Sequence, residues 1–206
     1  REESSALRTD QLYDVVGNAA GSVFLADSLG VWAVTGDVWT EVDPNSLEAL
    51  AVGPDGTLWG AGWERVLSWS SGQAEEYPST LLGEGDNTGT VKDVSVGPDG
   101  VLWVTTANTV ARYDGSDWAW WGNGAGFPES LYPYWPESVG VGADGTVWVS
   151  HGSGMLRFDG ETWTEVDPGS SQPKGIVVAP DGRVIVDTWA DGLTVFDGSW
   201  TAVTAA

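Results

Sequence analysis

The sequence predicts an all-β fold, a β-propeller of five four-stranded antiparallel blades. One unit recurs: VGPDGTLWGAGWERVLSW at positions 52–69 returns in related form at 96–113, 141–158 and 178–196, with a degenerate copy at 17–34. The turn glycines of these units lie 35, 44, 45 and 37 residues apart: Gly21, Gly56, Gly100, Gly145 and Gly182. Repeats of about 40 residues that hold several short strands are typical of propeller blades. No segment combines helical periodicity with helix caps, which supports an all-β fold.

Composition and charge narrow the class of protein. The 206 residues are enough for one large all-β domain, 1–206, and the 29 glycines stand at turns rather than in low-complexity runs. No cysteine is present for a disulfide or a thiolate metal site, and no apolar run is long enough to insert into a membrane. The formal net charge of −22 disfavours nucleic acid and anionic lipid as partners, and favours metal cations or basic groups.

Each blade is predicted from four short segments rich in Val, Leu, Trp or Thr and bounded by Gly, Asp, Asn or Pro. Residues 1–10 are polar and are interpreted as a lead-in segment. The blades cover about 11–45, 46–88, 89–136, 137–173 and 174–206. The predicted strands are 12–17, 22–26, 31–35 and 38–42; 47–53, 57–61, 66–70 and 73–77; 91–97, 101–105, 110–114 and 118–121; 137–142, 146–150, 155–159 and 162–167; and 175–179, 183–188, 193–197 and 200–204.

Aromatic residues recur at fixed blade positions. The second strand of each blade is a continuous apolar run, as expected for a strand covered on both faces by neighbouring blades. Further aromatic columns follow the third strand and open the fourth, so we interpret these side chains as inter-blade core: Trp59, Trp103 and Trp148; Trp69, Tyr113, Phe158 and Phe196; Trp39, Trp118, Trp163 and Trp200. The Pro-Asp-Gly and Asp-Gly turns supply a preset φ, a side-chain acceptor and a glycine free to take positive φ, so their acidic residues are interpreted as turn formers rather than calcium ligands.

Repeats of the form PDGxLW…GVxRYDGxxW, here from about Leu12 to Thr204, resemble the two-component regulator propeller family and, more distantly, the streptogramin lyase-like propellers of bacteria. The resemblance implies an extracytoplasmic or secreted bacterial domain that is part of a larger signalling protein. Family members usually have six or seven blades, so the five units leave open a closed five-bladed ring or a partial propeller. The lyase-like relatives would imply a histidine base, an acidic residue and a divalent cation in the central cleft.

One face of the disc is expected to carry the residues that break the repeat. If the first strand of each blade is innermost, the loops between second and third strands share a face with the connections between blades. Loops on a rigid scaffold are where binding groups concentrate. At equivalent positions on this face stand Asp27, Gly62, Thr106, His151 and Thr188, with Trp63, Glu64, Arg65, Trp189 and Asp191 beside them.

Two connections between blades are unusually long. Residues 78–90 offer Glu84, Asp86 and Asn87 as weak candidate oxygen ligands for calcium or magnesium, without the spacing of a known calcium loop. Residues 121–137 cluster aromatic side chains that suit a glycan or a peptide, and the alternative is that the loop buries them: Trp121, Phe127, Tyr132, Tyr134 and Trp135.

His151 is the only histidine, and so the only ordinary base near neutral pH. A pair with Asp187, Asp27 or Glu64 across the cleft could perform acid–base chemistry, whereas the alternative is a solvent-exposed loop histidine. Two hypotheses follow. The first is a non-catalytic recognition domain for a small ligand, glycan, peptide or protein, without a cofactor. The second is a lyase- or hydrolase-like enzyme that uses His151 with Asp187 or Glu64.

Overall fold

In the computed structural model the described residues are 11–83, 90–122, 125–128, 135–169, 172–189 and 192–203. They form five four-stranded antiparallel sheets arranged in a ring, a five-bladed β-propeller, which confirms the predicted fold class. Apart from strands, the described residues contain one 3-10 helix, Ser79–Leu81.

The strands of each blade follow one another in chain order within their sheet. Blades 1 and 2 contain β1 Leu12–Gly17, β2 Val23–Asp27, β3 Gly30–Thr35, β4 Val38–Asp43, β5 Ala49–Val52, β6 Leu58–Gly62, β7 Arg65–Ser70 and β8 Gln73–Pro78. Blade 3 contains β9 Val91–Val96, β10 Leu102–Thr106, β11 Thr109–Tyr113 and β12 Trp118–Gly122. Blades 4 and 5 contain β13 Pro136–Val141, β14 Val147–His151, β15 Gly154–Phe158, β16 Trp163–Val166, β17 Pro173–Val178, β18 Val184–Thr188, β19 Gly192–Phe196 and β20 Trp200–Val203.

The first strand of each blade is innermost, since β1, β5, β9, β13 and β17 pack on one another in that order. Every predicted strand is found, with each end within two residues of its predicted position. The middle strands β6, β10 and β14 are buried along their whole length because a neighbouring blade covers each of their faces.

Four buried apolar clusters lie between consecutive blades, from the interface of blades 1 and 2 to that of blades 4 and 5. Among the described residues, no such cluster joins blade 5 to blade 1. The outward faces of these two blades instead expose apolar side chains: Val15 and Val23 on blade 1, and Val177, Leu193 and Val203 on blade 5.

Side chains near the start of the inner strands bond one blade to the next. Asp14 of blade 1 accepts a hydrogen bond from the Leu50 N–H of blade 2 at 2.7 Å. Asp93 of blade 3 accepts from the Val139 N–H of blade 4 at 3.0 Å and from the Ser138 hydroxyl. Ser138 in turn accepts from the N–H of Ile176 in blade 5 at 3.2 Å. Hydrogen bonds therefore join the inner strand of blade 1 to that of blade 2, and the inner strands of blades 3, 4 and 5 to one another.

The acidic turn residues act as predicted, by accepting hydrogen bonds from the backbone of their own turns. Asp55 accepts from the Thr57 N–H at 2.9 Å, and Asp144 accepts from the Thr146 N–H at 3.0 Å. These backbone bonds, assisted by the threonine hydroxyls, lower the pKa of both carboxyls. Within the described ranges, no helix is long and apolar enough to cross a membrane.

Candidate functional site

The loops between second and third strands share a face of the disc with the starts of the inner strands. The strand register shows this, because Leu12, Pro136 and Pro173 at the starts of three inner strands pair with Asp27, His151 and Thr188 at the ends of the second strands. We call this side of the disc the loop face. It carries most of the predicted site residues that the structure describes.

The residues that break the repeat at the ends of the second strands are buried: Asp27, Gly62, Thr106, His151 and Thr188. Four of these five residues, all except Gly62, form side-chain hydrogen bonds with the turns that follow them. Asp27 accepts hydrogen bonds from the N–H groups of Leu29 and Gly30 at 2.7 and 3.0 Å. Thr106 accepts from Asn108 and Thr109 at 3.2 and 3.0 Å. Their shared role is therefore to cap a turn, which different side chains can do.

His151 takes the same capping position in blade 4. It is 1% exposed, so the expectation of a solvent-exposed loop histidine is wrong. Its Nδ1 accepts a hydrogen bond from the Ser153 N–H at 3.4 Å and lies 3.3 Å from the Ser153 hydroxyl oxygen. Because Nδ1 accepts from a backbone amide, the neutral ring carries its proton on Nε2. Burial lowers the pKa of His151 from 6.5 to about 4.

The carboxylates proposed as partners of His151 belong to other blades and bond elsewhere. Asp187 of blade 5 accepts a hydrogen bond from the Gly175 N–H, and Asp27 of blade 1 caps its own turn. Glu64 lies on the turn of blade 2 with φ of 63°, next to Arg65, which forms an ion pair with Glu76 at 3.7 Å. The structure brings none of these carboxylates into a described hydrogen bond with the imidazole.

Three tryptophans project from the loop face. Trp63, Trp135 and Trp189 are 68%, 56% and 71% exposed, whereas most tryptophans of the chain pack between blades. Trp135 lies over the turn that follows His151, since a Cβ atom at Gly152 would stand 3.4 Å from its ring. The ammonium of Lys174 lies 4.1 Å from the centre of the Trp189 ring, a cation–π contact.

The mouth of the central channel opens on the same face. It is a cavity of about 280 Å³ that the starts of the inner strands surround. Four carboxylates and two ammonium groups surround it, together with Tyr13 and Ser138: Asp14, Glu48, Asp93 and Glu137, and Lys92 and Lys174. Lys174 joins the mouth to Trp189, so the exposed tryptophan and the charged mouth form one continuous surface.

Asp93 is the carboxyl group of the mouth whose pKa is clearly shifted. Burial raises its pKa to about 6, against the hydrogen bonds from Ser138, Val139 and Val94 that favour the ionised form. Sequence reasoning missed this group and its neighbours. The signal was present in the sequence, because a charged residue stands at or next to the start of four inner strands: Glu48, Lys92, Glu137 and Lys174.

Trp121 does not lie in a surface loop. It is part of β12, and its ring stacks on Trp103 with centres 5.5 Å apart and planes at 17°. The expectation that it belongs to a long surface loop is wrong, because the outer strand of blade 3 continues through this position and directs the ring into the interface with blade 4. A ligand-binding role of Trp121 stays a prediction. Phe127 is also buried, against Trp163.

Six predicted residues lie outside the described residues: Tyr132, Tyr134, Asp191, Glu84, Asp86 and Asn87. In the part of the chain that the structure describes, no group of three or more His, Asp or Glu side chains is placed to hold a metal ion. The possible divalent cation therefore stays a prediction.

Comparison with known proteins identifies the fold class rather than a family. No family model matches the chain, and no curated protein matches it. Among solved structures, virginiamycin B lyase from Staphylococcus aureus is similar with a TM-score of 0.77 and 17% identity, over 94% of this chain and 70% of that one. The extracellular domain of a putative one-component system from B. thetaiotaomicron gives a TM-score of 0.71 and 16% identity, over 95% of this chain and 28% of that one.

A gluconolactonase from Xanthomonas campestris is also similar, with a TM-score of 0.66 and 19% identity over 93% of this chain and 75% of that one. The solved relatives thus include both enzymes and an extracellular domain of a signalling protein. At these identities the likeness shows the propeller fold, and the role of this chain has to be argued from its own site.

Proposed function

We propose that this protein is a non-catalytic recognition domain, an extracytoplasmic part of a bacterial signalling protein, that binds a polar ligand on its loop face. The observation that carries the proposal is the continuous surface of Trp189, Lys174 and the charged channel mouth, with Trp63 and Trp135 exposed on the same face. Exposed indole rings stack on sugar rings and on peptide groups, and a mouth with both charge signs can bind hydroxyl, amine and carboxylate groups. A glycan or a short peptide has this combination of chemistry.

A solved structure with the same fold supports the extracytoplasmic part of the proposal. An extracellular domain of a signalling protein shares the fold, and propeller loops mounted on a rigid scaffold are suited to binding. The enzyme alternative is less favoured. His151 is buried and caps a turn, and its lowered pKa leaves it neutral at pH 7, with its Nδ1 lone pair already used.

The proposal is tested by presenting the labelled full chain to glycan and peptide arrays and measuring each hit by titration calorimetry. We expect Trp189→Ala and Trp135→Ala to weaken a true ligand at least ten-fold. Val38→Ala is the matched control, since Val38 is 65% exposed but opens β4, on the opposite face of the disc.

Two results would count against the proposal. Hits whose affinity is unchanged in both tryptophan variants would place binding elsewhere, and turnover of a bound ligand that is lost in His151→Thr would favour the enzyme. Circular dichroism of each variant checks that the fold is intact, as expected for the substitutions of exposed Trp135, Trp189 and Val38 and for a threonine that can cap the turn at 151.

A further inference from the structure

One position of the outer strands decides how each interface between blades is filled. The strand register places Tyr77 opposite Val66, Trp121 opposite Val110, Val166 opposite Met155 and Val203 opposite Leu193. These four residues therefore occupy equivalent places in blades 2 to 5. Two are aromatic and two are valine.

Where the residue is aromatic, four rings fill the interface. Between blades 2 and 3, the Tyr77 ring lies 5.7 Å from Trp59, 5.3 Å from Tyr113 and 5.7 Å from Trp118. Between blades 3 and 4, the Trp121 ring lies 5.5 Å from Trp103, 5.3 Å from Phe158 and 5.8 Å from Trp163. The fourth ring is thus held by three others in both interfaces.

Between blades 4 and 5 the same three-ring frame is present without the fourth ring. The frame distances are 5.4 Å from Trp148 to Phe196, 6.1 Å from Trp148 to Trp200 and 5.1 Å from Phe196 to Trp200. The corresponding distances in the previous interface are 5.6, 6.1 and 4.9 Å. The three-ring frame therefore has nearly the same dimensions in both interfaces, although Val166 stands at the position from which Trp121 supplies the fourth ring.

A cavity lies beside Val166, and two of the three frame rings line it. Its volume is about 410 Å³, within the range of small-molecule sites, and its walls include Trp148, Val166 and Phe196. It opens to solvent past the exposed residues Thr164 and Asp144. The cavity is on the side of the disc that carries the Pro-Asp-Gly turns, so it is separate from the loop face.

We propose that this cavity binds one planar, electron-rich aromatic ring of a small molecule, of indole or phenol type, in the place that Trp121 occupies in the preceding interface. The frame supplies edge and face contacts that rings prefer at 4.5–7 Å between centres. Arg157 selects for electron density, because its guanidinium lies 5.8 Å from the Trp148 ring centre and can cover a bound ring as well. Arg157 forms no ion pair with a described carboxylate, and the nearest carboxyl interaction is the weaker one by which its charge helps to lower the pKa of Asp144 at the edge of the cavity.

The test uses 5-fluoroindole and the full chain, with fluorine NMR as the readout because the 14 tryptophans of the protein complicate fluorescence. We expect saturable binding with one site per chain. Val166→Trp should fill the cavity and weaken binding at least ten-fold. Val203→Trp is the matched control: it adds the same ring at the equivalent position of blade 5, where Val203 is 51% exposed, and should leave binding unchanged.

A second variant tests whether removal of the fourth ring from another interface creates a new binding site. Trp121→Val should leave the frame of Trp103, Phe158 and Trp163 without its fourth ring and so raise the number of fluoroindole sites from one to two. In the wild type, nuclear Overhauser contacts from the bound ring to the methyl groups of Val166 and Val178 locate the site without any substitution. Absence of saturable binding, contacts to other methyl groups, or equal binding by a folded Val166→Trp variant would each overturn the proposal.

Discussion

Replacing His151 by threonine should remove one pH dependence of stability while keeping the turn cap. Thr106 shows that a threonine at this position accepts the same backbone hydrogen bonds, at 3.2 and 3.0 Å. The variant therefore changes the titrating group and retains an acceptor for the N–H of Ser153. Since the chain has no other histidine, the difference between the two proteins reports on this one imidazole.

The magnitude follows from the lowered pKa. In the folded protein the pKa of His151 is about 4, against 6.5 for the unfolded chain. The unfolded state thus binds the proton more readily, and the folded state is at full advantage above pH 6.5 and loses it as the pH falls towards 4. Each pKa unit corresponds to about 1.4 kcal/mol, so between pH 7 and 4.5 the wild type should lose about 2 kcal/mol more stability than His151→Thr.

Urea unfolding followed by tryptophan fluorescence at both pH values measures this difference. In parallel, the single imidazole C2 proton can be followed by proton NMR, and its titration midpoint should lie near pH 4. A midpoint above pH 6, or pH profiles of the two proteins that differ by less than about 0.5 kcal/mol, would refute the burial of the His151 ring as the cause of its lowered pKa.

Two further predictions concern stability. Asp93→Ala leaves the Val139 N–H without its carboxylate acceptor, and should cost about 1–3 kcal/mol in urea unfolding, while the exposed neighbour Lys92→Ala should cost little. Because the pKa of Asp93 is raised to about 6, its effect on stability depends on pH in the opposite direction to that of His151. The stabilisation is fully present below pH 3.8 and is lost as the pH rises through 6. The cost of Asp93→Ala should therefore be larger at pH 4 than at pH 7.5. Gly100→Ala should lower stability by about 1–2 kcal/mol, because Gly100 has φ of 82° and no atom lies near a new Cβ, so the loss comes from the backbone conformation. Gly17→Ala, at a glycine without positive φ, should have a smaller effect. Equal costs of the two substitutions in urea unfolding would contradict the conformational origin of the loss.

Local signals made the fold predictable. Each strand is a short apolar run that ends at a turn residue, and the Pro-Asp-Gly turns fix where the second strand begins. His151 misled for the same reason: it stands just before a glycine and therefore resembles a loop residue, yet the second strand extends through it and its side chain turns inward.

The site was harder to predict because its parts are far apart in the chain. Lys174 and Trp189 meet only through the pairing of β17 with β18, and the charged mouth needs all five inner strands side by side. The cavity at Val166 depends on a comparison between blades that requires the strand register. A valine at the end of a strand gives no sign in the sequence of the ring that its counterparts supply.

The exposed outer faces of the first and last blades have a consequence for how binding could be sensed. When blades contact only their neighbours, the stability of the protein is the sum of the energies of the blades and of the interfaces between them. A blade with one buried interface therefore opens more readily than a blade with two. Among the described residues, blade 5 shares a buried apolar cluster with blade 4 alone. It supplies Lys174 to the mouth, with Trp189 beside it, while Glu137 and Lys92 come from blades 4 and 3, which each share such clusters with two neighbours. A molecule that contacts all of these groups would link blade 5 to blades 3 and 4. Its binding would therefore stabilise blade 5 against local opening.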